Sequence, residues 1–260
     1  MLEKNAGQLP LCLITGGAKR IGAEIARGLA GSFRIALHYH DSRDEAANLA
    51  AELKAAGAEV TTFDKDLSKP QAATELAEQV MAEMGNIDLL VNNASRFTYD
   101  SPSSFDGEIL DELCRVNLTA PVALAKAVAE HATTRHDGGE ALVVQMLDNK
   151  VFALNPDFFS YTLTKCALHA SVQMLAMHYP GRLRVCGIAP GVTLASGEQD
   201  RANFETSWRR SLSGRGATPA EIAQTVLFLW NSPSINGETI VLDGGQRHMH
   251  LERDVAFVVE

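Results

Sequence analysis

The chain has 260 residues, 46% hydrophobic and 21% charged, with a formal net charge of −9 at pH 7. That length buries roughly three quarters of the unfolded surface without disulfides or metal, and the composition is that of an ordinary globular protein rather than a disordered or fibrous one. The negative balance excludes non-specific nucleic-acid binding, because a phosphate backbone repels such a surface.

In chain order, the polar start Met1-Leu2-Glu3-Lys4-Asn5 has no apolar leader core, and no apolar run approaches the ~18–20 residues of a membrane span. A reduced, cytoplasmic protein is expected. Short apolar runs follow at Leu11–Thr15, Arg34–Tyr39, Glu59–Phe63, Ile87–Asn92, Ala141–Leu147, Leu183–Ala189 and Thr239–Leu242. Helical patterns lie between them at Ile21–Ala30, Asp44–Ala56, Gln71–Met84, Ile109–His131, Tyr161–Tyr179 and Pro219–Trp230. Strands apolar on both faces, each followed by a helix, predict a parallel sheet covered on both sides. Residues 1–260 are read as one doubly wound α/β domain with seven strands, since no linker or repeat divides the chain. The irregular stretch 191–216, with a short amphipathic piece at Asn203–Leu212, follows a strand end, where loops commonly cover a ligand. Cys12, Cys114, Cys166 and Cys186 have no CxxC spacing and no histidine cluster, so no metal site is expected.

The turn after the first strand reads Thr15-Gly16-Gly17-Ala18-Lys19-Arg20-Ile21-Gly22 and runs into a helix. Glycines there let a diphosphate approach the amides of a helix N-terminus. The second strand ends Leu37-His38-Tyr39-His40, with no acid before Asp41 to take a ribose 2′-hydroxyl. Lys19 and Arg20 on the adjacent turn are suited to a 2′-phosphate. The pattern favours NADPH over NADH, with Asp41 as the opposing charge. Further on, Tyr161 and Lys165 stand four residues apart on one helix, hence on one face. A phenol with pKa near ~10 needs a neighbouring cation to exchange protons at neutral pH, so the pair is read as a proton-transfer site with the phenol's pKa lowered by the lysine.

Together these motifs resemble the short-chain dehydrogenase/reductase superfamily over nearly the whole chain. The resemblance extends to Asp66-Leu67 beside the adenine and to Asn93-Ala94-Ser95 after the fourth strand. It also covers Asn117, which would hold a water linking Lys165 to solvent, Pro190, Gly191 and Thr193 after the sixth strand, and Asp243-Gly244-Gly245 after the seventh. It implies cofactor binding through Gly16, Lys19, Arg20, Ile21, Gly22, His38, Tyr39 and His40 together with those positions, and a homo-oligomer, often a tetramer built on the Ile109–His131 and Tyr161–Tyr179 helices. Where that family usually has a serine, thirteen residues before the tyrosine, this chain has Asp148. A carboxyl group suits a nitrogen heterocycle with N–H donors better than a ketone. This is similar to the pteridine reductases, as are Lys19-Arg20-Ile21-Gly22, His38-Tyr39-His40 and Ser95-Arg96-Phe97. The resemblance implies that Phe97 stacks on a pterin and that Asp148, Tyr161, Lys165 and Asn117 form the catalytic set. The rivals are a carbonyl, alcohol or 3-oxoacyl reductase of the same fold, and a cofactor-binding module without catalysis. The tail 246–260 ends in the apolar run Val255-Ala256-Phe257-Val258-Val259, expected to pack on a neighbouring subunit or on the core. Its residues His248, His250 and Glu252 are read as solvated rather than metal-binding.

Overall fold

The apolar runs become strands because each has side chains to bury on both sides of a sheet. In a computed structural model, which describes residues 8–132, 140–195 and 199–258, these are β1 (Leu11–Ile14), β2 (Arg34–Tyr39), β3 (Val60–Asp64), β4 (Leu89–Asn92), β5 (Ala141–Met146), β6 (Leu183–Pro190) and β7 (Thr239–Leu242). All neighbours pair in parallel, in the order β3-β2-β1-β4-β5-β6-β7. Alternate residues sort to opposite faces, as the two-residue period of a strand requires. Leu11 and Leu13 join one core with Leu76, Leu124 and Leu168, while Cys12 and Ile14 join the other with Ile25, Phe33 and Val226.

The first core is covered by α3 (Ala72–Met84), α5 (Ala120–Ala132) and α6 (Phe159–His178). The second is covered by α1 (Arg20–Leu29), α2 (Arg43–Ala55) and α8 (Pro219–Trp230). The last of these starts at a capping box, in which Thr218 and Glu221 satisfy each other's backbone amides and Pro219 opens the helix. The strand order reverses between β1 and β4, and a cleft opens there at the carboxyl ends of the strands, where doubly wound sheets hold ligands.

Two expectations change. The predicted helix Ile109–His131 is two helices, α4 (Gly107–Cys114) and α5, joined by a π-helical turn over Arg115–Thr119. Pro121 has no N–H to donate to the carbonyl four residues back, so the α-helical ladder cannot pass through Asn117. The amphipathic piece of the long loop is α7 (Arg201–Arg209), starting two residues before the expected Asn203 and ending before Leu212, which is exposed. The tail packs on the chain itself, one of the two outcomes expected for it: its two short 3-10 turns, Gln246–Met249 and Val255–Phe257, bury Gln246 and Val255 against the rest of the chain. Met1–Asn5 and Val259 lie outside the described residues. Among the described residues, no helix is long and apolar enough to cross a membrane.

Candidate active site

The glycine turn is built from the strand ends it joins. Thr15 accepts the backbone N–H groups of Asn93 and Ala94 through its hydroxyl, both at 3.0 Å, tying the end of β1 to that of β4. Asn93 Nδ2 donates to Thr15 O and Gly16 O. A Cβ on Gly22 would stand 2.3 Å from Gly16 O, and Gly16, at φ +59°, would bring one 2.9 Å from Ala94 Cα. Both positions therefore require glycine. Lys19 at the start of α1 provides no side-chain cap, and the first turn has no acidic residue. With Gly16, Ile21 and Gly22 lining the cleft, this N-terminus fits a diphosphate.

The expected cofactor residues divide by position. Lys19, Arg20, Asn93, Ala94, Ser95, Pro190, Gly191 and Thr193 line the same cleft of about 970 Å3. His38 does not: it is buried, taking Gly16 N–H on Nδ1 at 3.1 Å and meeting Lys65 O with Nε2 at 2.8 Å. Burial pushes its pKa down to about 4, which keeps the ring neutral and shapes the turn from beneath. Tyr39 is also buried. His40 is exposed beside Asp41 (3.0 Å) and Asp66 (4.0 Å), and Leu67 is buried behind them. Lys19 pairs with Glu45 at 2.6 Å and Arg20 donates to Ala195 O at 2.9 Å, so both basic residues already have partners within the chain.

Of the four expected catalytic residues, Asp148, Tyr161 and Lys165 come together, while Asn117 is engaged by Ser95, Arg96 and Thr164. Tyr161 donates its hydroxyl hydrogen bond to Asp148 Oδ2 at 3.1 Å. The other carboxylate oxygen, Asp148 Oδ1, accepts Lys150 N–H at 2.9 Å, capping a 3-10 turn, Asn149–Phe152, at the end of β5. Lys165, one turn below Tyr161, is buried and donates to Met146 O at 2.8 Å, with its ammonium 5.6 Å from the Tyr161 ring centroid. Asn117, in the π-turn, is fully buried. It accepts Ser95 Oγ–H and Arg96 N–H and donates to Arg96 O and Thr164 Oγ1.

The electrostatics correct one expectation. Burial pushes the Tyr161 phenol well above its usual pKa, and the neighbouring Asp148 pushes it further in the same direction. Lys165 does not depress it within this chain; the lysine is itself lowered to about 8 by burial, against the pull of Asp148. Asp148 is raised by burial, with Lys150, Lys165 and Tyr161 opposing the rise. The resting site is thus a protonated phenol hydrogen-bonded to a carboxyl group, arranged to give a proton rather than to take one.

Phe97 is 44% exposed in the cleft. One face stacks on Phe158 at 4.2 Å and 24°, and it meets Tyr161 edge-on at 4.7 Å. The exposed part of the ring borders the cleft. Sequence reasoning missed Phe158, Lys150 and the tail residues Asp254 and Val255, which line the same cleft. The one signal for the tail was its apolar end, which needed a partner but did not say which.

A family model described as enoyl-(acyl carrier protein) reductase, of the short-chain dehydrogenase type, matches residues 16–247. Pteridine reductase 1 of Leishmania tarentolae is 30% identical over 91% of this chain and 96% of that protein. Among solved structures, FolM alternative dihydrofolate reductase 1 from Brucella canis, complexed with NADP, superposes with a TM-score of 0.87 at 37% identity. The match covers 92% of this chain and 94% of that one. A gluconate 5-dehydrogenase from Burkholderia cenocepacia, complexed with NADP and tartrate, gives 0.82 at 26% identity over 93% and 96%.

Proposed function

The chain belongs to the short-chain dehydrogenase/reductase family of oxidoreductases, and on that premise we propose that it is an NADPH-dependent reductase of a pteridine. The observation that carries the substrate class is the Asp148–Tyr161 hydrogen bond at the cleft end of β5. A carboxylate oxygen has two lone pairs, so Asp148 can hold the phenol and still accept amino or ring N–H groups from a pterin. A serine at that place would polarise a carbonyl instead. NADP in the structural relatives supports the cofactor, and so does the uncapped N-terminus of α1 beside Gly16 and Gly22.

The cofactor, held by Gly16, Gly22 and the N-terminus of α1, would supply the hydride for the carbon of a ring C=N bond. The chain supplies the matching proton: Tyr161 Oη–H is protonated at rest and gives its proton to the adjacent ring nitrogen. Lys165, on the same face of α6 below Tyr161, would reach the cofactor's ribose, and Asp148 orients the heterocycle. Asn117 fixes the Ser95–Arg96 segment and thereby Phe97, whose exposed ring at the cleft would pack against the flat heterocycle.

A panel of dihydropterins, ketones, sugar acids and 3-oxoacyl thioesters, followed by NADPH consumption, tests this reading. Dihydropterins should be turned over at least about tenfold more efficiently than the rest; a preference for any other class overturns the substrate assignment. In the same assay Asp148→Ala should lose most of its pterin turnover while binding NADPH as before. The gluconate 5-dehydrogenase likeness is the reason sugar acids belong in the panel. By the same family resemblance we infer a homo-oligomer assembled through α6, whose exposed Leu163, Met174 and Met177 form an apolar stripe.

A further inference from the structure

The stretch between β5 and α6 carries Asp148 and Phe158 but little regular structure beyond one 3-10 turn. Ordering such a loop costs conformational entropy, so its tethers decide how well Asp148 is placed. Most of them come from the far end of the chain. Lys150, whose backbone N–H holds Asp148 Oδ1, buries its side chain and donates from Nζ to Asp254 Oδ2 at 2.8 Å and to Asn155 Oδ1 at 2.9 Å. Buried Asp157 takes both nitrogens of the Arg253 fork at 2.7 Å and the Asp254 backbone N–H at 2.7 Å. Phe257 packs edge-on to Tyr99 at 5.4 Å and parallel to Phe158 at 6.1 Å.

The same tail reaches the opposite wall. Ala256 O accepts Asn203 Nδ2 at 3.1 Å and Val258 O accepts Arg210 Nη1 at 3.1 Å, both from the α7 region. Asp254 Oδ1 caps the final turn through Ala256 N–H. A continuous line of contacts therefore runs from Asp254 through Lys150 to Asp148 and Tyr161, crossing more than a hundred residues of sequence.

We propose that Asp254, brought in by the C-terminal segment, is a positioning residue for the Asp148–Tyr161 pair and acts through Lys150. Lys150 is not itself a substrate group, since two of its three ammonium donors are already used and its side chain is 8% exposed. The pair also sets the local charge. The charged and titratable groups facing Asp148 are Lys150 from its own turn and Tyr161, Lys165 and Cys166 from α6, with Asp254 of the tail partly neutralising the first. Removing the Asp254 charge leaves the Lys150 ammonium uncompensated, and Asp148 then ionises at lower pH.

The activity arm of the test rests on the pteridine reductase reading; the spectroscopic arm does not. The Asp148 carboxyl carbon, assigned by its loss in Asp148→Asn, is titrated by NMR in wild type, in Asp254→Asn and in Lys150→Met/Asp254→Met. Asp254→Asn should move the Asp148 midpoint down by roughly half to one pH unit, and the double variant, which removes the cation, should move it up. In steady state Asp254→Asn should lose about tenfold or more in kcat with KM for NADPH within about twofold, and the acid limb of its pH profile should shift with the NMR midpoint. The apolar double variant keeps the fold if the single one does not, and its kcat should stay low. Unmoved midpoints, or wild-type kcat in folded Asp254→Asn, overturn the proposal. A wild type inert toward dihydropterins overturns the substrate reading instead and leaves the NMR comparison to decide this one.

Discussion

His38 shows how a side chain near a ligand site can serve the backbone instead. Its two ring nitrogens have fixed and opposite duties, accepting from Gly16 and donating to Lys65 O, and only the neutral ring can perform both. The native pKa of about 4 lies below the ordinary value near 6.5. The neutral ring's contribution is therefore fully present above pH 6.5 and is lost as pH falls through 4. That difference corresponds to roughly 3 kcal/mol. Urea unfolding at intervals from pH 7 to 4 should show wild type losing about that much more stability than His38→Gln. Parallel losses in the two proteins would remove the assignment. Tyr161 shows the same dependence on surroundings: four residues from a lysine, its phenol is nonetheless held protonated by burial and by Asp148.

The strand–turn–helix unit of β1 and α1 is fixed by two hard contacts. Gly22 has no room for a methyl group, with Gly16 O, Asn93 Nδ2 and Gly17 Cα all within 3 Å of where it would stand. Gly22→Ala should cost about 2 kcal/mol in chemical unfolding and weaken NADPH binding, measured by fluorescence titration, by at least about tenfold. Gly31→Ala is the control, because nothing lies within 4 Å of its added Cβ, and it should change neither. Equal effects of the two substitutions would show that the turn tolerates side chains. The π-turn between α4 and α5 follows the same logic in reverse: there the missing donor of Pro121 widens the helix around Asn117.

At the scale of the molecule, two apolar cores lie on the two faces of the sheet and one cleft opens at its carboxyl edge. The exposed stripe of α6 lies outside both cores. Met174 and Met177 are 69% and 75% exposed, an arrangement that self-association would relieve. Sedimentation of wild type should give an oligomer at micromolar concentration, and Met174→Lys/Met177→Lys should shift it toward monomer while the monomer keeps its fold. A monomeric wild type would dismiss the assembly.

The sequence alone was enough for the seven strands, the glycine turn, the Tyr161–Lys165 face and the unusual Asp148, because each is a local matter of period, spacing or residue type. The order of the strands in the sheet was decided only by the tertiary structure. Tertiary structure alone decided what those residues touch. Burial and Asp148, not Lys165, dominate the Tyr161 phenol; His38 lies beneath the turn rather than in the cleft; and Asp254 reaches Lys150 across 104 positions. The physical reason is that desolvation and hydrogen bonding depend on every atom within a few ångströms, and most of those atoms come from distant parts of the chain.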